Sequence, residues 1–398
     1  MTRVSSLIGG LLILALTLGA WPHPSDAESR VDDEPTTATQ ADVTALREEV
    51  ETLRALVDEL AREMSRTRPT LSAFRLPETL TLAGEPVPLE RSDVAERLER
   101  EFFLALAAPA DAILWLKRSA RYFPFIEERL QAAQLPDDLK YVAVAESALR
   151  PRAYSWAHAS GIWQFIPDTA RRYGLRVTRV WDERRDPERS TSAAIAYLRD
   201  LYGQFRDWPL ALAAYNAGEG RVATALKTQG VSDYYRLVLP IETERYVFRV
   251  LAAKLILEAP DHYGFAVPIE DRYAPHETDS VTVPLPGSVA VRDLAAAAGS
   301  FYREILALNP AIMDDRLPAG RYILRVPRGA ATAFAERVRS VKAEPAPATG
   351  TVTYRVKAGD TLHRIAQRFQ VSVKDLRSWN RGLRGGNVSV GQVLTIRR

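Results

Sequence analysis

The sequence contains no cysteine and only five histidines among its 398 residues. Without cysteine the chain can form no disulfide, no thiolate zinc site and no cysteine nucleophile, and it offers no cysteine for lipid attachment. The histidines are scattered, and no H-x-x-x-H pair occurs. We therefore expect no metal site, and no motif in the sequence indicates a cofactor.

Neither sign of charge dominates, because 53 basic residues face 50 acidic residues for a net charge of +3. This mild basicity fits an anionic partner such as a cell-wall polymer. No dense basic cluster with interleaved aromatic residues occurs, so we expect no nucleic-acid partner. The length and a hydrophobic fraction of 46% predict roughly two to four globular domains.

The amino terminus has a short apolar run, Leu7 to Leu18, which is too short for a confident membrane-spanning helix. Arg3 precedes the run, and Ser25-Asp26-Ala27 follows it as a small-residue cleavage site, so residues 1–27 are predicted to be a secretory signal peptide. An uncleaved segment that associates with the membrane is the alternative. In either case we expect an exported protein of the periplasm or cell envelope.

Residues 28–70 are predicted to contain a polar, disordered segment followed by a coiled-coil helix. Apolar residues recur in alternating steps of three and four, at Val43, Leu46, Val50, Leu53, Val57, Leu60 and Met64. The pattern extends over about three heptads and favours a homo-oligomer formed through residues 42–66. The alternative is one amphipathic helix that lies on its own domain. Residues 71–91 are rich in proline and are interpreted as a linker.

Residues 92–265 are predicted to form one mainly α domain. Helix-like apolar spacing recurs between boundaries of proline, glycine or asparagine, and no alternating strand pattern interrupts it. The predicted helices lie near residues 93–107, 110–122, 124–133, 137–149, 167–173, 190–205, 208–216, 219–228 and 242–258.

Two small α+β units with a βααβ pattern are predicted at residues 281–327 and 351–398, joined by a proline- and alanine-rich linker at 328–350. Five similar positions lie 71 residues apart, which indicates an internal repeat. The pairs are Leu294 with Ile365, Ile305 with Leu376, Asn309 with Asn380, Gly320 with Gly391, and Ile323 with Leu394.

Glu146 is the candidate catalytic residue, because it lies on the same helical face as the apolar residues Leu139 and Val142. A carboxyl group in apolar surroundings tends to stay protonated, and a protonated carboxyl is the general acid that glycoside cleavage requires. The alternative is an ordinary surface glutamate that pairs with Arg150 one turn later.

Three more segments carry uncharged polar or aromatic side chains that can bind a sugar chain through hydrogen bonds and ring contacts. They are Gly161-Ile162-Trp163-Gln164, Ala214-Tyr215-Asn216-Ala217-Gly218 and Glu242-Thr243-Glu244-Arg245-Tyr246-Val247. Together with Glu146-Ser147 these segments resemble the soluble-lytic-transglycosylase, or goose-lysozyme-like, domain family, and most of all its membrane-bound type D.

The carboxy-terminal unit resembles a LysM domain through Tyr354-Arg355-Val356, Gly359-Asp360-Thr361-Leu362 and Gly391-Gln392. The first unit has Val289 and Leu308 where the second has Asp360 and Trp379, so it is interpreted as a degenerate LysM-like unit.

The resemblance implies a lysozyme-like catalytic domain that cleaves the β-1,4 bond between N-acetylmuramic acid and N-acetylglucosamine and leaves a 1,6-anhydro end. It implies that Glu146 is the acid and base of this reaction and that Tyr246 bonds its carboxyl. It further implies that substrate is bound by Ser147, Gln164, Tyr215, Asn216 and Tyr246. It also implies that LysM units bind glycans containing N-acetylglucosamine.

Two alternatives stay open at this point. A second carboxylate facing Glu146 across room for a water would make the protein a hydrolytic, lysozyme-type muramidase, and the candidates are Glu219, Glu242 and Glu244. In the other alternative the protein is a non-catalytic scaffold that binds the cell wall.

Overall fold

A computed structural model describes residues 48, 50–59, 75–344, 351–369, 371–380, 382–383 and 388–397. The predicted signal peptide and disordered segment lie outside these residues. The chain divides into the units Met1–Arg68 and Pro69–Arg398. In the described part of the chain, no helix is both long enough and apolar enough to cross a membrane.

In the first unit, residues 50–59 are helical. Val50, Leu53 and Val57 are 41%, 48% and 61% exposed, so three positions of the predicted seam form an uncovered apolar stripe. The other seam positions lie outside the described residues, and self-association through residues 42–66 stays a prediction.

The second unit begins with a hairpin where the sequence favoured a linker. Strands β1 (Thr81–Leu82) and β2 (Glu85–Pro86) pair antiparallel through Ala83 and Gly84, both in the left-handed region at φ 55° and 85°. Leu82 is fully buried. The linker interpretation of 71–91 is therefore wrong for residues 75–91, because its prolines border a hairpin that packs on the helical core.

Helices dominate the part of the chain up to residue 265. They are α1 (Ser92–Leu106), α2 (Pro109–Ala132), α3 (Lys140–Ser147), α4 (Pro167–Arg172), α5 (Pro187–Phe205), α6 (Trp208–Ala217), α7 (Glu219–Gln229) and α8 (Ile241–Glu258). The two helices predicted at 110–122 and 124–133 are one helix with Pro124 inside it. The helix predicted at 137–149 is a 3₁₀ turn, Asp137–Leu139, followed by the shorter α3.

Helix α8 lies at the centre of this core and buries residues on every side, including Val247, Leu251 and Ile256. It packs against α1, α3 and α6. Its buried Lys254 is held by Asp138 at 2.6 Å and by the carbonyl of Thr81 at 2.9 Å. This ion pair fixes the amino-terminal hairpin and the start of the α3 segment to the central helix.

The next βααβ unit consists of β3 (Thr278–Leu285), α9 (Val291–Ala297), α10 (Tyr302–Leu308) and β6 (Gly320–Pro327), with the short pair β4 (Val289–Ala290) and β5 (Arg316–Leu317). Strands β3 and β6 are antiparallel. Helix α11 (Ala331–Arg337) buries Phe334 in the same core, and Ser288 bridges to Glu344. The predicted linker 328–350 is therefore wrong for residues 331–344, which belong to this unit.

The carboxy-terminal unit has the same order, with β7 (Thr351–Arg355), α12 (Leu362–Phe369), α13 (Val373–Trp379) and β8 (Val393–Arg397). Asn309 and Asn380 follow equivalent helices and bind the closing strand through the same backbone pattern, to Arg325 and Thr395. In the closing strand the equivalent positions lie 70 residues apart, so the sequence match of Ile323 with Leu394 is wrong by one residue. The predicted class, mainly α with small βααβ units, is confirmed.

Candidate active site

Glu146 lies in the last turn of α3, just before the helix ends abruptly. Ala148 and Leu149 both adopt the left-handed conformation, at φ 52° and 57°. Such a conformation costs a non-glycine residue roughly 1–2 kcal/mol. Leu149 is fully buried, which offsets part of that cost. The chain therefore turns away directly after Glu146 and leaves its carboxyl beside an open cavity.

In the part of the chain that the structure describes, the carboxyl of Glu146 has one close polar partner. The phenol of Tyr246, from the second turn of α8, donates a hydrogen bond of 2.7 Å to Glu146 Oε1. The Tyr246 side chain is buried, being 2% exposed, so the phenol is fixed by the core around it. Helix packing between α3 and α8 thus sets this contact between residues that are distant in the sequence.

Burial raises the pKa of Glu146 to about 7. The hydrogen bond from Tyr246 and the charge of Arg249 lower it, and the charge of Glu242 raises it. Burial dominates because water can no longer stabilise the carboxylate. At neutral pH the side chain therefore exists in comparable amounts as acid and as carboxylate, which allows one group to donate and then accept a proton.

The Gln164 segment forms a tight loop before α4. Gly161 has φ 88°, and a Cβ there would lie 1.7 Å from the carbonyl oxygen of Arg184. Gln164 also adopts a positive φ of 47°, and its Nε2 donates to the Gly161 carbonyl at 2.8 Å. Trp163 is fully buried and donates to Thr191 Oγ1, so it anchors the loop in the core.

Tyr215 and Asn216 lie at the end of α6 and connect the other segments. The Tyr215 phenol donates to the Trp163 carbonyl at 2.8 Å, and Asn216 Oδ1 accepts from Thr243 Oγ1 at 2.9 Å. Burial raises the pKa of Tyr215 far above its ordinary value, and the charge of Glu146 adds to this. The structure thus links the Gln164 loop, α6 and α8 in one network beside Glu146.

Ser147 borders the cavity beside Glu146, but its hydroxyl is bound by backbone groups. Its side chain is buried, and its hydroxyl lies 2.9 Å from the Ile162 carbonyl and 3.1 Å from the Ala143 carbonyl. It also accepts from the backbone N–H of Arg150 at 3.2 Å. These backbone partners fix the end of α3 to the Gln164 loop, so Ser147 positions Glu146 rather than offering a hydroxyl to a ligand.

The other carboxylates near the motifs have partners of their own. Glu219 binds Arg172 and Tyr197, and Glu244 accepts from the Leu239 N–H at 2.9 Å. Glu242 is paired with Arg249 at 2.5 Å. Among the described residues, no cluster of three or more acidic or histidine side chains could hold a metal ion.

A cavity of about 460 Å³ opens beside Glu146 between α1, α2, α3 and α8. Of its polar lining residues on α8, Arg245 belongs to the Glu242–Val247 motif and Arg249 follows one turn later. Helices α1 and α2 carry no recognisable pattern of site residues, so the motifs do not predict the lining residues Glu101, Asp111, Trp115 and Arg118. Arg150 also lines the cavity, and it binds the Ser147 carbonyl instead of pairing with Glu146.

An exposed aromatic loop precedes the Gln164 segment, and the sequence motifs do not include it. Trp156 is 95% exposed, and Tyr154 binds His158 Nδ1 at 2.6 Å. The loop rests on the buried pair of Arg184 and Asp182, since Arg184 Nη1 donates to the carbonyl of His158. The loop connects Ser147 to Gly161 along the chain, so it borders both motifs.

Comparison with known proteins gives a consistent result. Residues 123–238 match the family described as "Transglycosylase SLT domain", and residues 354–397 match "LysM domain". The chain is 37% identical over 294 residues to "Membrane-bound lytic murein transglycosylase D" of Escherichia coli K12, a match that covers 70% of this chain and 64% of that protein. It is 37% identical over 121 residues to "Soluble lytic murein transglycosylase" of Salmonella typhimurium, covering 28% of this chain and 19% of that protein.

The chain therefore spans slightly less than two thirds of the curated type D relatives that it matches. The solved structure of the 70 kDa soluble lytic transglycosylase from Escherichia coli superposes with a TM-score of 0.33 and 20% identity, over 67% of this chain and 43% of that one. This superposition is too weak to support an argument. The resemblance found in the sequence is confirmed: the chain contains a transglycosylase SLT domain followed by a LysM domain.

Proposed function

We propose that the protein is a peptidoglycan lytic transglycosylase and that Glu146 is its catalytic acid and base. The observation that carries the proposal is the carboxyl of Glu146, which has a pKa of about 7, is bound by the Tyr246 phenol and is open to a cavity. The SLT domain match and the type D relatives support peptidoglycan as the substrate.

In the proposed reaction the protonated Glu146 donates its proton to the glycosidic oxygen of the departing N-acetylglucosamine, and the bond from that oxygen to C1 of N-acetylmuramic acid breaks. The Glu146 carboxylate then takes the proton of the C6 hydroxyl of the same muramic acid. O6 bonds to C1 and closes the 1,6-anhydro ring. With the proton from the C6 hydroxyl, Glu146 is again in its acid form, and no water is consumed.

The alternative reaction is hydrolysis by water. It requires a second carboxylate opposite Glu146. Glu242 is the acidic residue whose charge acts on Glu146, but its pairing with Arg249 opposes a role as a free base. Tyr246, Gln164, Tyr215 and Asn216 are proposed to line the glycan groove around Glu146. Ser147 is proposed to hold the end of α3 in place.

The two βααβ units receive different roles. Residues 351–398 are proposed to bind glycan as a LysM domain, consistent with the match at 354–397. Residues 281–327 are proposed to brace the catalytic domain, because Arg325 forms a bidentate pair with Asp186 at 2.9 Å and Trp181 inserts into the core of this unit. The alternative of a non-catalytic scaffold predicts two results. Isolated residues 351–398 would retain all binding to peptidoglycan, and the full protein would release no soluble fragments from it.

Export to the periplasm or cell envelope and self-association through residues 42–66 are also proposals. Deletion of residues 42–66 is expected to reduce the mass seen in light scattering. An unchanged mass in the full-length protein and the deletion variant would contradict association through this helix.

The direct test of the catalytic proposal is Glu146→Gln. This change keeps the size of the side chain and removes its proton exchange, so product release from purified peptidoglycan should fall by a factor on the order of 10² or more. Asn216→Ala serves as a milder comparison that should weaken substrate binding. An active Glu146→Gln protein would contradict the assignment.

A further inference from the structure

The cavity beside Glu146 contains more positive charge than the chain itself neutralises. Four guanidinium groups line it, from Arg118, Arg150, Arg245 and Arg249, together with the carboxyls of Glu101, Asp111 and Glu146. Glu146 is largely protonated below its pKa of about 7, so in that range two carboxylates face four cations in the lining. An excess of positive charge in a cavity favours an anionic ligand.

Two of these arginines have carboxylate partners. Arg245 binds the buried Glu101 at 2.7 Å and 3.2 Å. Arg249 lies 4.0 Å from Glu101 and 2.5 Å from Glu242. Their charges are balanced within the protein, and they form the α8 wall of the cavity.

Arg118 and Arg150 are different. Arg118 Nη1 donates to the Ala148 carbonyl at 3.0 Å, and Arg150 Nε donates to the Ser147 carbonyl at 2.9 Å. In the described part of the chain both guanidinium groups bind backbone carbonyls, and neither forms an ion pair with a carboxylate. Both line the same cavity, and burial together with the charge of Arg150 lowers the pKa of Arg118.

The two contacts use only part of each guanidinium, which has five N–H donors in a planar fork. A guanidinium fork of this kind can bind a carboxylate through two parallel charge-assisted hydrogen bonds. Asp111 also lines the cavity, but it is exposed at the first turn of α2 and supplies one negative charge against two positive ones. The half-buried indole of Trp115 adds an apolar surface next to the pair.

We propose that Arg118 and Arg150 bind a carboxylate of the peptide stem on the muramic acid that is being cleaved. This inference rests on the proposed function. The sugar backbone of a stem-bearing strand has no charge, because the lactyl group is amide-linked, so the stem supplies the carboxylates. The site lies in the same cavity as Glu146, and it makes the enzyme prefer glycan that still carries its peptides.

The test compares Arg118→Gln and Arg150→Gln with the wild type on three soluble substrates. These are stem-bearing strands, the same strands with their carboxyls amidated, and strands stripped of peptide, which expose the lactyl carboxylate instead. Arg100→Gln is the matched control, since it removes the same charge from an exposed position of α1 outside the cavity. Thermal unfolding of each variant shows that it is folded.

Each cavity variant should lose roughly tenfold in kcat/KM on stem-bearing strands, through KM, because a charge-assisted hydrogen bond is lost. On amidated and stripped strands the variants should lose clearly less than on stem-bearing strands, since only their bonds to the carbonyls at the end of α3 are then missing. Arg118→Lys should recover part of the loss on stem-bearing strands. Equal losses on all three substrates would overturn the proposal. A loss on stripped strands as large as on stem-bearing ones would overturn the assignment to the stem.

A binding measurement separates this inference from the proposed function. Glu146→Gln protein titrated with the free tetrapeptide stem should bind it, and Arg118→Gln in that background should weaken binding roughly tenfold. If the wild type makes no anhydro product but this binding difference is found, the reaction is wrong and the anion site is right. If product forms and the stem does not bind, the anion site is wrong.

Discussion

The phenol of Tyr246 lies 2.7 Å from Glu146 Oε1, although the two residues are 100 positions apart in the sequence. Its hydrogen bond stabilises the carboxylate and opposes the effect of burial on the same group. The result is a carboxyl with a pKa of about 7. Loss of either influence would move this value away from the range in which one group can act as acid and base.

Removal of the phenol by Tyr246→Phe should raise the pKa of Glu146, because the hydrogen bond lowers it. The acid form is needed first, so activity is present below this pKa and declines as the pH rises through it. In the variant the alkaline limb should move upward by about one pH unit, which corresponds to the loss of one hydrogen bond to a charged group. The measurement is kcat/KM between pH 5 and pH 9.

The matched control is Tyr235→Phe. The Tyr235 hydroxyl is buried and has no hydrogen-bond partner in the described part of the chain, so its removal leaves the Glu146 network intact. This variant should keep the wild-type pH profile and unfold at an equal or higher temperature. A similar shift of the alkaline limb in both variants would contradict a specific role for Tyr246.

The raised pKa of Glu146 also predicts a pH-dependent stability. An acid whose pKa is higher in the folded state than in the unfolded state contributes stability that is full below the unfolded value, near 4.5, and is lost as the pH rises through about 7. The glutamine of Glu146→Gln cannot ionise, so the variant does not lose this stability as the pH rises. Relative to the wild type, its free energy of unfolding should therefore gain up to about 3 kcal/mol between pH 4.5 and pH 8.

Urea unfolding of the wild type and of Glu146→Gln at pH 4.5 and pH 8 measures this difference in free energy of unfolding. The contributions of all other titratable groups cancel, because they are the same in both proteins. A difference that stays constant with pH would show that Glu146 is ionised normally. The proposed acid and base role would then lose its physical basis.

The contact of Arg325 with Asp186 predicts that residues 281–327 stabilise the catalytic domain. Asp186 is buried and also caps α5, so Arg325→Met would leave a buried carboxylate without its partner. This should cost about 3–5 kcal/mol. Arg328→Met is the control, because its ion pair with Glu277 is 72% and 73% exposed and should change stability by less than about 1 kcal/mol. Equal thermal midpoints for the two variants would contradict the bracing role.

Gly161 should tolerate no side chain. In Gly161→Ala the new Cβ would meet the Arg184 carbonyl, so the Gln164 loop would have to move, and both activity and stability should fall, the latter by more than about 3 kcal/mol. Gly174→Ala is the control, since its φ of 81° is similar but nothing lies within 4 Å. It should cost only about 1 kcal/mol. The comparison uses thermal unfolding and product release, and equal losses would rule out the steric explanation.

Local chemistry made most of the helices predictable from the sequence. The helix predicted at 208–216 matches α6, whereas the one predicted at 190–205 begins three residues too late, because α5 starts at Pro187 with Asp186 as its cap. Pro124 misled the prediction because α2 continues through it. Burial of Tyr122 and Ile126 on either side outweighs the roughly 3 kcal/mol that a proline costs inside a helix.

The features that the sequence did not predict depend on distant contacts. Ala148 and Leu149 take a conformation usually given to glycine, and it is stabilised by the burial of Leu149 and by backbone hydrogen bonds from both residues to the last turn of α3. Ser147 belongs to the motif but is bound by backbone groups of another loop. The prolines near residues 81–86 favour a linker in the sequence, and no sequence pattern indicates that Leu82 is buried in the core.

The most direct test of the central claim is the mass of the muropeptides that the purified protein releases from peptidoglycan. If Glu146 takes its second proton from the muramic acid C6 hydroxyl, the products will carry 1,6-anhydro ends and will be lighter by one water than the hydrolysed products. This lower mass is expected from the earliest times of digestion. Products that carry the added water from the start would contradict it and would identify a lysozyme-type hydrolase.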